Sequence, residues 1–311
     1  MNTQSNAMPG SPLDSQGIGP AAILETQRMY WALRRELWEN RSIYLAPLGV
    51  AGLFLVGFLI STIHLPEKMR AAAALDPTQQ HKLIAQPYLM VAGLMMLTTI
   101  VVGVFYCLDA LYGERRDHSI LFWKSLPVSD LTTVLSKAIT PVVILPLITF
   151  AITVVMQWIM LLVSTAVLLG SGLSASTLWT HASLFQTWLM LLYHLLTVHG
   201  LWYAPIYGWL LLVSAWARRA PFLWASLPLL AIGVVEKIAF NTSHFGTLLA
   251  NRMLGGGGGA EEFMTGYLSM DPLMHFTPGQ FLISPGLWIG LALAAAFLAA
   301  AVRLRRYQGP I

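Results

Sequence analysis

The chain has 311 residues, of which 56% are hydrophobic and only 10% are charged, and its mean hydropathy is +0.65. Soluble domains carry about a quarter charged residues, so this composition excludes an ordinary soluble protein. It also excludes a disordered chain, which needs low hydrophobicity and high charge. The basic residues behind the net charge of +4 are too sparse for a nucleic-acid surface, so nucleic acid is not an expected partner. The sequence predicts an all-α polytopic membrane protein.

The first 42 residues precede the apolar part of the chain. Residues 1–20 are polar and lack the hydrophobic core of a signal peptide, so we expect a disordered leader. Residues 21–42 follow an amphipathic helical pattern that stops before the first apolar run. Its candidate membrane-surface residues are Trp31, Arg34, Arg35 and Trp38. Paired aromatics and arginines favour a helix lying in the cytoplasmic membrane surface, in contact with lipids, over a helix that simply begins the first span.

The remainder, residues 43–311, is the predicted transmembrane domain, with six apolar runs long enough to cross a bilayer. These runs lie at about 43–63, 88–108, 138–169, 187–213, 220–240 and 286–304. The third run is too long for one span and too short for two. Pro141 and Pro146 near its start favour a kinked segment followed by one long helix.

The basic residues predict the orientation of these spans. Thirteen of the eighteen Lys and Arg fall on the side that carries both termini. The positive-inside rule then places both termini in the cytoplasm of a multi-pass protein of the inner, or cytoplasmic, membrane. Residues 241–285 become a long outer segment that contains the glycine run at 255–259. The ten residues from Phe245 could form a short amphipathic helix before that run.

The loop at 111–137, between the second and third spans, carries an unusual mixture of charge and exposed aromatics. The charged part is Glu114, Arg115 and Arg116, and the short amphipathic turn that follows runs from Ser119 to Ser125 and presents Leu121, Phe122 and Trp123. Leu126 and Pro127 end this turn, and Ser129 or Asp130 can cap the next helix. Bulky apolar groups here fit a docking surface for a partner protein and fit equally well a loop that dips into the lipid interface.

The same residues resemble a known family. The Glu-Arg cluster after the second span, the sequence Leu126-Pro127-Val128-Ser129 and Lys137 at the next span look like the permease subunit of type-2 ATP-binding-cassette exporters. The resemblance extends to the N-terminal surface helix, the six spans and the long outer segment, although the glycine run departs from the family. It implies that Glu114, Arg115 and Arg116 form the charged start of the loop, that Ser119 to Leu126 form a coupling helix, and that Pro127 ends it.

The resemblance also implies the partners. A coupling helix docks into a cytoplasmic ATP-binding-cassette ATPase subunit, and two permease copies, expected here as a homodimer, work with two such ATPases. The chain itself has no GxxxxGK[ST] phosphate loop. We therefore expect no enzymatic activity, no catalytic residue and no cofactor in this chain, with ATP and Mg bound by the partner subunit.

Polar residues inside spans are candidates for a translocation path. Those of interest are His199, Tyr203, Tyr207 and Glu236. The first three share one helical face, and hydrogen bonding between packed helices is the competing interpretation. Glu236 falls near the outer end of its span, where a local ion pair explains it equally well. His194 and His199 would point 140° apart on an α-helix, at 100° per residue, so no metal site is predicted.

The sequence therefore predicts an exporter permease that moves an unidentified substrate. One alternative is a membrane-embedded hydrolase or acyltransferase, although neither HExxH nor GxSxG occurs. The other is a membrane anchor or sensor subunit that transports nothing, since docking to a partner does not require transport.

Overall fold

The computed structural model describes residues 25–72, 74–125, 128–182, 184–253 and 278–311. Its α-helices are α1 Glu25–Glu39, α2 Ser42–Ser61, α3 Leu65–Ala72, α4 Pro77–Ala110, α5 Tyr112–Arg116, α6 Ser119–Ser125, α7 Asp130–Ile139, α8 Leu145–Gly170, α9 Ser176–Ala182, α10 Leu184–His194, α11 Ala204–Trp216, α12 Pro221–Phe240, α13 His244–Met253, α14 Pro278–Ile283 and α15 Pro285–Tyr307. A 3₁₀ turn lies at Thr62–His64, and π-helical segments lie at Thr140–Ile144 and Leu195–Trp202. These described residues contain no β-strand.

Six helical stretches are long and apolar enough to cross a membrane, which confirms the predicted all-α class and the number of spans. They are Ser42–Ala72, Pro77–Arg116, Asp130–Gly170, Leu178–Trp202, Pro221–Phe240 and Pro285–Tyr307. Several exceed the roughly 20 residues that a bilayer requires, so their ends continue past the apolar runs. The predicted leader at 1–20 lies outside the described residues, as does the glycine-rich part of the predicted outer segment.

The third span contains the distortion that its prolines predict. Pro141 lies inside the π-helical segment Thr140–Ile144, which leads directly into α8. Proline has no N–H to donate to the preceding turn, and the wider π-turn accommodates the lost hydrogen bond. A single long span with a distorted beginning results.

The fourth apolar run is more broken than its hydrophobicity suggests. The predicted stretch 187–213 consists of α10, the π-segment Leu195–Trp202 and α11, which begins after Tyr203. Pro205 occupies the first turn of α11, a position where its missing N–H costs nothing.

The interior is built around α4, which packs against α2, α8 and α11, while α15 runs along α11. Close approach of α11 to α15 depends on Gly208, where a Cβ would lie 3.3 Å from the Cα of Ala294. The helices α1, α5, α6 and α7 and the end of α15 meet at one end of the bundle. We call this the junction end, and the end that carries α3, α9 and α13 the far end.

Candidate functional site

Six charged side chains converge at the junction end. They are Arg35 and Glu36 of α1, Glu114 of α5, Asp130 and Lys137 of α7 and Arg305 of α15, and we call them the ionic cluster. Four of them are almost completely buried, with exposed fractions of 0% for Glu36, 7% for Glu114, 1% for Lys137 and 5% for Arg305. Positive and negative members are equal in number, as the burial of charge requires.

Glu114 is the centre of the cluster because its two oxygens face three cations. Its Oε1 accepts a hydrogen bond from Arg35 Nη2 at 2.6 Å and lies 3.2 Å from Lys137 Nζ. Its Oε2 accepts a hydrogen bond from Arg305 Nη2 at 3.0 Å. The single carboxylate of α5 thereby connects α1, α7 and α15.

Glu36 forms a second point of attachment for α1. Its Oε1 accepts a hydrogen bond from Lys137 Nζ at 2.9 Å, and its Oε2 accepts one from Tyr106 Oη at 2.8 Å. The polar side of α1 therefore faces the bundle, held against α4 and α7. At the edge of the cluster, Arg305 Nη1 donates to Asp130 Oδ1 at 3.3 Å.

Arg35 connects this cluster to the short helix α6. Its guanidinium carbon lies 3.6 Å from the ring centroid of Trp123, within the range of a cation–π contact. Burial disfavours the charged form of Arg35, but neighbouring carboxylates, chiefly those of Glu36 and Glu114, outweigh that effect and raise its pKa above the ordinary value. Arg35 is therefore a permanent cation between α6 and the ionic cluster.

The helix α6 occupies Ser119–Ser125, the stretch predicted as an amphipathic turn, and has two distinct faces. Ile120 is buried and Trp123 is partly covered by Arg35. Leu121 and Phe122 are 60% and 59% exposed. The side chains of Leu121 and Phe122 thus form an apolar surface at the junction end, which we call the α6 knob.

The other loop residues have separate surroundings. Ser119 Oγ donates to the carbonyl of Glu114 at 3.4 Å. Arg115 Nη1 donates to the carbonyls of Ala215 at 2.5 Å and Ala217 at 3.1 Å, which ties α5 to the end of α11. Exposed Arg116 lies 3.5 Å from Asp109 and 2.9 Å from Asp117.

Leu126 and Pro127, the predicted end of the coupling helix, lie outside the described residues. Ser129 caps α7, as predicted, by accepting from Thr132 N at 3.1 Å.

Ser214 fixes the bend between α4 and α5. Its buried Oγ accepts hydrogen bonds from the backbone N–H groups of Leu111 at 3.0 Å and Tyr112 at 2.9 Å.

Replacement of Ser214 by alanine would leave both donors unpaired in the interior, at a cost of about 1 to 3 kcal/mol each. We expect a markedly lower unfolding midpoint in detergent. The control is S226A, because Ser226 Oγ bonds only carbonyls of its own helix, and an equal loss in S226A would contradict this interpretation.

The aromatic side of α1 points away from the bundle. Trp31 and Trp38 are 57% and 70% exposed, and the guanidinium carbon of Arg34 lies 5.2 Å and 5.0 Å from their ring centroids. Arg35, predicted with them as a membrane-surface residue, lies on the opposite side and belongs to the ionic cluster. The two neighbouring arginines therefore face different environments.

Three of the four predicted translocation-path residues are buried between packed helices, whereas partly exposed Glu236 lies at the turn between α12 and α13. His199 Nε2 is 3.2 Å from the carbonyl of Met96, Tyr203 Oη donates to the carbonyl of Met253 at 2.8 Å, and the Tyr207 ring packs closely against Gly103. Glu236 accepts hydrogen bonds from Thr242 Oγ1 and from two backbone N–H groups at the start of α13. Their part in a translocation path stays a prediction.

Sequence reasoning did not single out Glu36 or Arg305, and it named Asp130 only as a possible helix cap and Lys137 only as part of the family resemblance. An available signal was the presence of both acidic and basic residues at the same end of several apolar runs. Across the described part of the chain, no group of three or more His, Cys, Asp or Glu side chains could hold a metal ion.

Comparison with models of known protein families, with curated proteins and with solved structures found no match. The resemblance to exporter permeases therefore rests on the sequence alone.

Proposed function

We propose that this chain is the membrane-spanning permease subunit of a type-2 ATP-binding-cassette exporter. It would move an unidentified substrate with energy from ATP hydrolysed, with Mg, by a separate nucleotide-binding subunit. The main support for the proposal is the α6 knob. It is an exposed apolar surface that is linked to the bundle, since the adjacent Trp123 contacts Arg35 of the ionic cluster.

The α6 knob suits a protein partner. Two large apolar side chains stand out from a helix of seven residues that is itself anchored to the bundle by Ile120 and Trp123. Anchored apolar side chains of this kind are typical of the central residues of protein interfaces. Burial of Leu121 and Phe122 in a cleft of the ATPase would remove them from water.

The ionic cluster provides a route for the movement. A displacement of α6 by the partner would act on Arg35 through Trp123 and then on Glu114, whose other contacts are on α7 and α15. Helix α7 forms the start of the third span, and α15 forms the sixth. They would therefore shift with α6, and a cavity between the spans could change its exposure from one side to the other.

The proposal includes an orientation and an assembly. The excess of basic residues on one side of the predicted spans supports a cytoplasmic location for the junction end and both termini, in a protein of the inner membrane. The outward aromatic side of α1, with Trp31, Arg34 and Trp38, would lie in the cytoplasmic surface of the lipid. A second copy would complete a homodimer, as the family resemblance implies.

Replacement of both Leu121 and Phe122 by alanine is the direct test of docking. Loss of two buried apolar side chains should weaken the complex by about 2 to 4 kcal/mol, or at least tenfold in affinity. The measurement is co-purification of tagged chain from its native cell in mild detergent, with mass spectrometry of the partners. The wild type should recover a stoichiometric ATPase, and the double variant should recover far less.

The matched control is I63A at the far end, where Ile63 is 72% exposed. This variant removes a comparable apolar side chain and should recover the ATPase as the wild type does. Equal recovery by all three proteins would contradict the docking assignment. An ATPase that binds, while inverted vesicles show no ATP-dependent export, would favour the anchor or sensor function.

A further inference from the structure

Arg252, in the last turn of α13, packs against Trp202 of the π-helical segment and against the first turns of α15 at the far end. Its guanidinium carbon is 4.1 Å from the ring centroid of Trp202, and its Nη1 donates to the carbonyl of Gly286 at 2.8 Å. Two hydrogen bonds hold the backbone at the end of α13. Trp202 Nε1 donates to the carbonyl of Arg252 at 3.0 Å, and Tyr203 Oη donates to the carbonyl of Met253 at 2.8 Å. Arg252 is therefore held at both its backbone and its side chain.

The charge of Arg252 is not balanced within the part of the chain that the structure describes. Its Nε and Nη2 atoms are buried and have no hydrogen-bond partner. No ion pair joins it to a described carboxylate. Burial lowers the pKa of the guanidinium from its ordinary value. A cation that keeps two donors unused in a covered position is costly unless another group satisfies them.

Two glycines make room for this side chain. A Cβ at Gly290 would overlap the Arg252 guanidinium, and a Cβ at Gly286 would lie 3.6 Å from the Trp202 ring. The GxxxG spacing of these residues is a common signature of packed helices. Here both glycines lie against the Arg252–Trp202 pair.

We propose that Arg252 is the cationic residue of a binding site for a phosphate-type oxyanion at the far end of the molecule. The Nε and Nη2 hydrogens form the parallel pair of donors that matches two oxygens of one phosphate group. The Trp202 face and the Gly286 carbonyl hold the guanidinium, and the Nε and Nη2 pair has no hydrogen-bond partner where it lies against Gly290. Because the pair is covered, binding requires the side chain to turn on the Trp202 face. The site is separate from the α6 knob and does not depend on the proposed ATPase.

Two sources could supply the oxyanion, and the experiment distinguishes them. The purified full-length chain is titrated in neutral detergent with inorganic phosphate, with short-chain phosphatidic acid and with short-chain diacylglycerol, and unfolding temperature is recorded. A rise with phosphatidic acid but not with inorganic phosphate assigns a lipid headgroup, and a rise with both assigns a general phosphate site. Diacylglycerol, which lacks the phosphate, should give no rise.

The variants R252Q and R252K complete the test, with R70Q as control because Arg70 is an exposed arginine of α3 at the same end. The dissociation constant should rise at least tenfold in R252Q and be unchanged in R70Q. R252K keeps the charge but loses the paired donors, so it should also bind more weakly, and it serves if R252Q fails to fold.

Two results would overturn the proposal. The first is an equal response of wild type and both Arg252 variants to the phosphate probes. The second is no response of the wild type to either phosphate probe.

Discussion

Replacement of Lys137 by methionine should cost about 3 to 5 kcal/mol in the free energy of unfolding, the loss expected when one partner of a buried ion pair is removed. Lys137 is 1% exposed, and its Nζ lies 2.9 Å from Glu36 Oε1 and 3.2 Å from Glu114 Oε1. Methionine fills much of the same volume without charge. The variant therefore leaves the ionic cluster with an excess negative charge that has no access to water.

Unfolding in mixed detergent, followed by circular dichroism, measures this loss. The control K68M removes an exposed lysine at the far end and should change the free energy of unfolding by less than about 0.5 kcal/mol. The double variant E36Q/K137M removes both charges of one pair and should recover part of the stability. A K137M protein as stable as the wild type would mean that the cluster does not hold these helices together.

Replacement of Arg35 by alanine is expected to uncouple the chain from the proposed ATPase while leaving that ATPase bound. Arg35 contacts both Trp123 of α6 and Glu114 of α5, whereas the α6 knob does not include it. A loss of about 1.4 kcal/mol in the coupling free energy between the docked α6 helix and the spans corresponds to a tenfold change in an equilibrium constant. We expect the stimulation of the proposed ATPase by the reconstituted chain to fall about tenfold.

Arg34 provides a matched control for Arg35. It is the adjacent arginine and also contacts tryptophan rings, but those rings belong to Trp31 and Trp38 on the outer side of α1. R34A should keep the stimulation of ATP hydrolysis. R35K should behave more like R35A than like the wild type, because an ammonium lacks the planar face that stacks on Trp123. An equal effect of R34A and R35A would argue against the Arg35 route.

Local signals in the sequence predicted much of the architecture. Runs of apolar residues predicted the number of spans, Pro141 predicted the distortion before α8, and Ser129 was correctly predicted as a possible cap of α7. Each of these features depends on neighbouring residues along one helix. The amphipathic pattern likewise predicted helix α1, although hydrophobicity alone does not tell which side faces the protein.

The ionic cluster could not be predicted in the same way. Glu36 and Lys137 are 101 positions apart and Glu114 and Arg305 are 191 apart, so their contacts depend on how the spans pack. The polar side of α1 faces inward because Glu114 and Lys137 balance the charges of its Arg35 and Glu36. The exposed tryptophans of α1 therefore face outward. The basic residues that favour a cytoplasmic location include three that are buried in the protein, namely Arg115, Lys137 and Arg305.

A photo-crosslinking amino acid placed at position 122, in cells that express the full-length chain, tests the central claim most directly. The account predicts one prominent adduct with a protein that carries nucleotide-binding motifs, and no such adduct when the same amino acid replaces Ile63 at the far end. If position 122 forms adducts only with lipid, or the same adducts as position 63, then α6 is not a docking helix and the proposed exporter function is wrong.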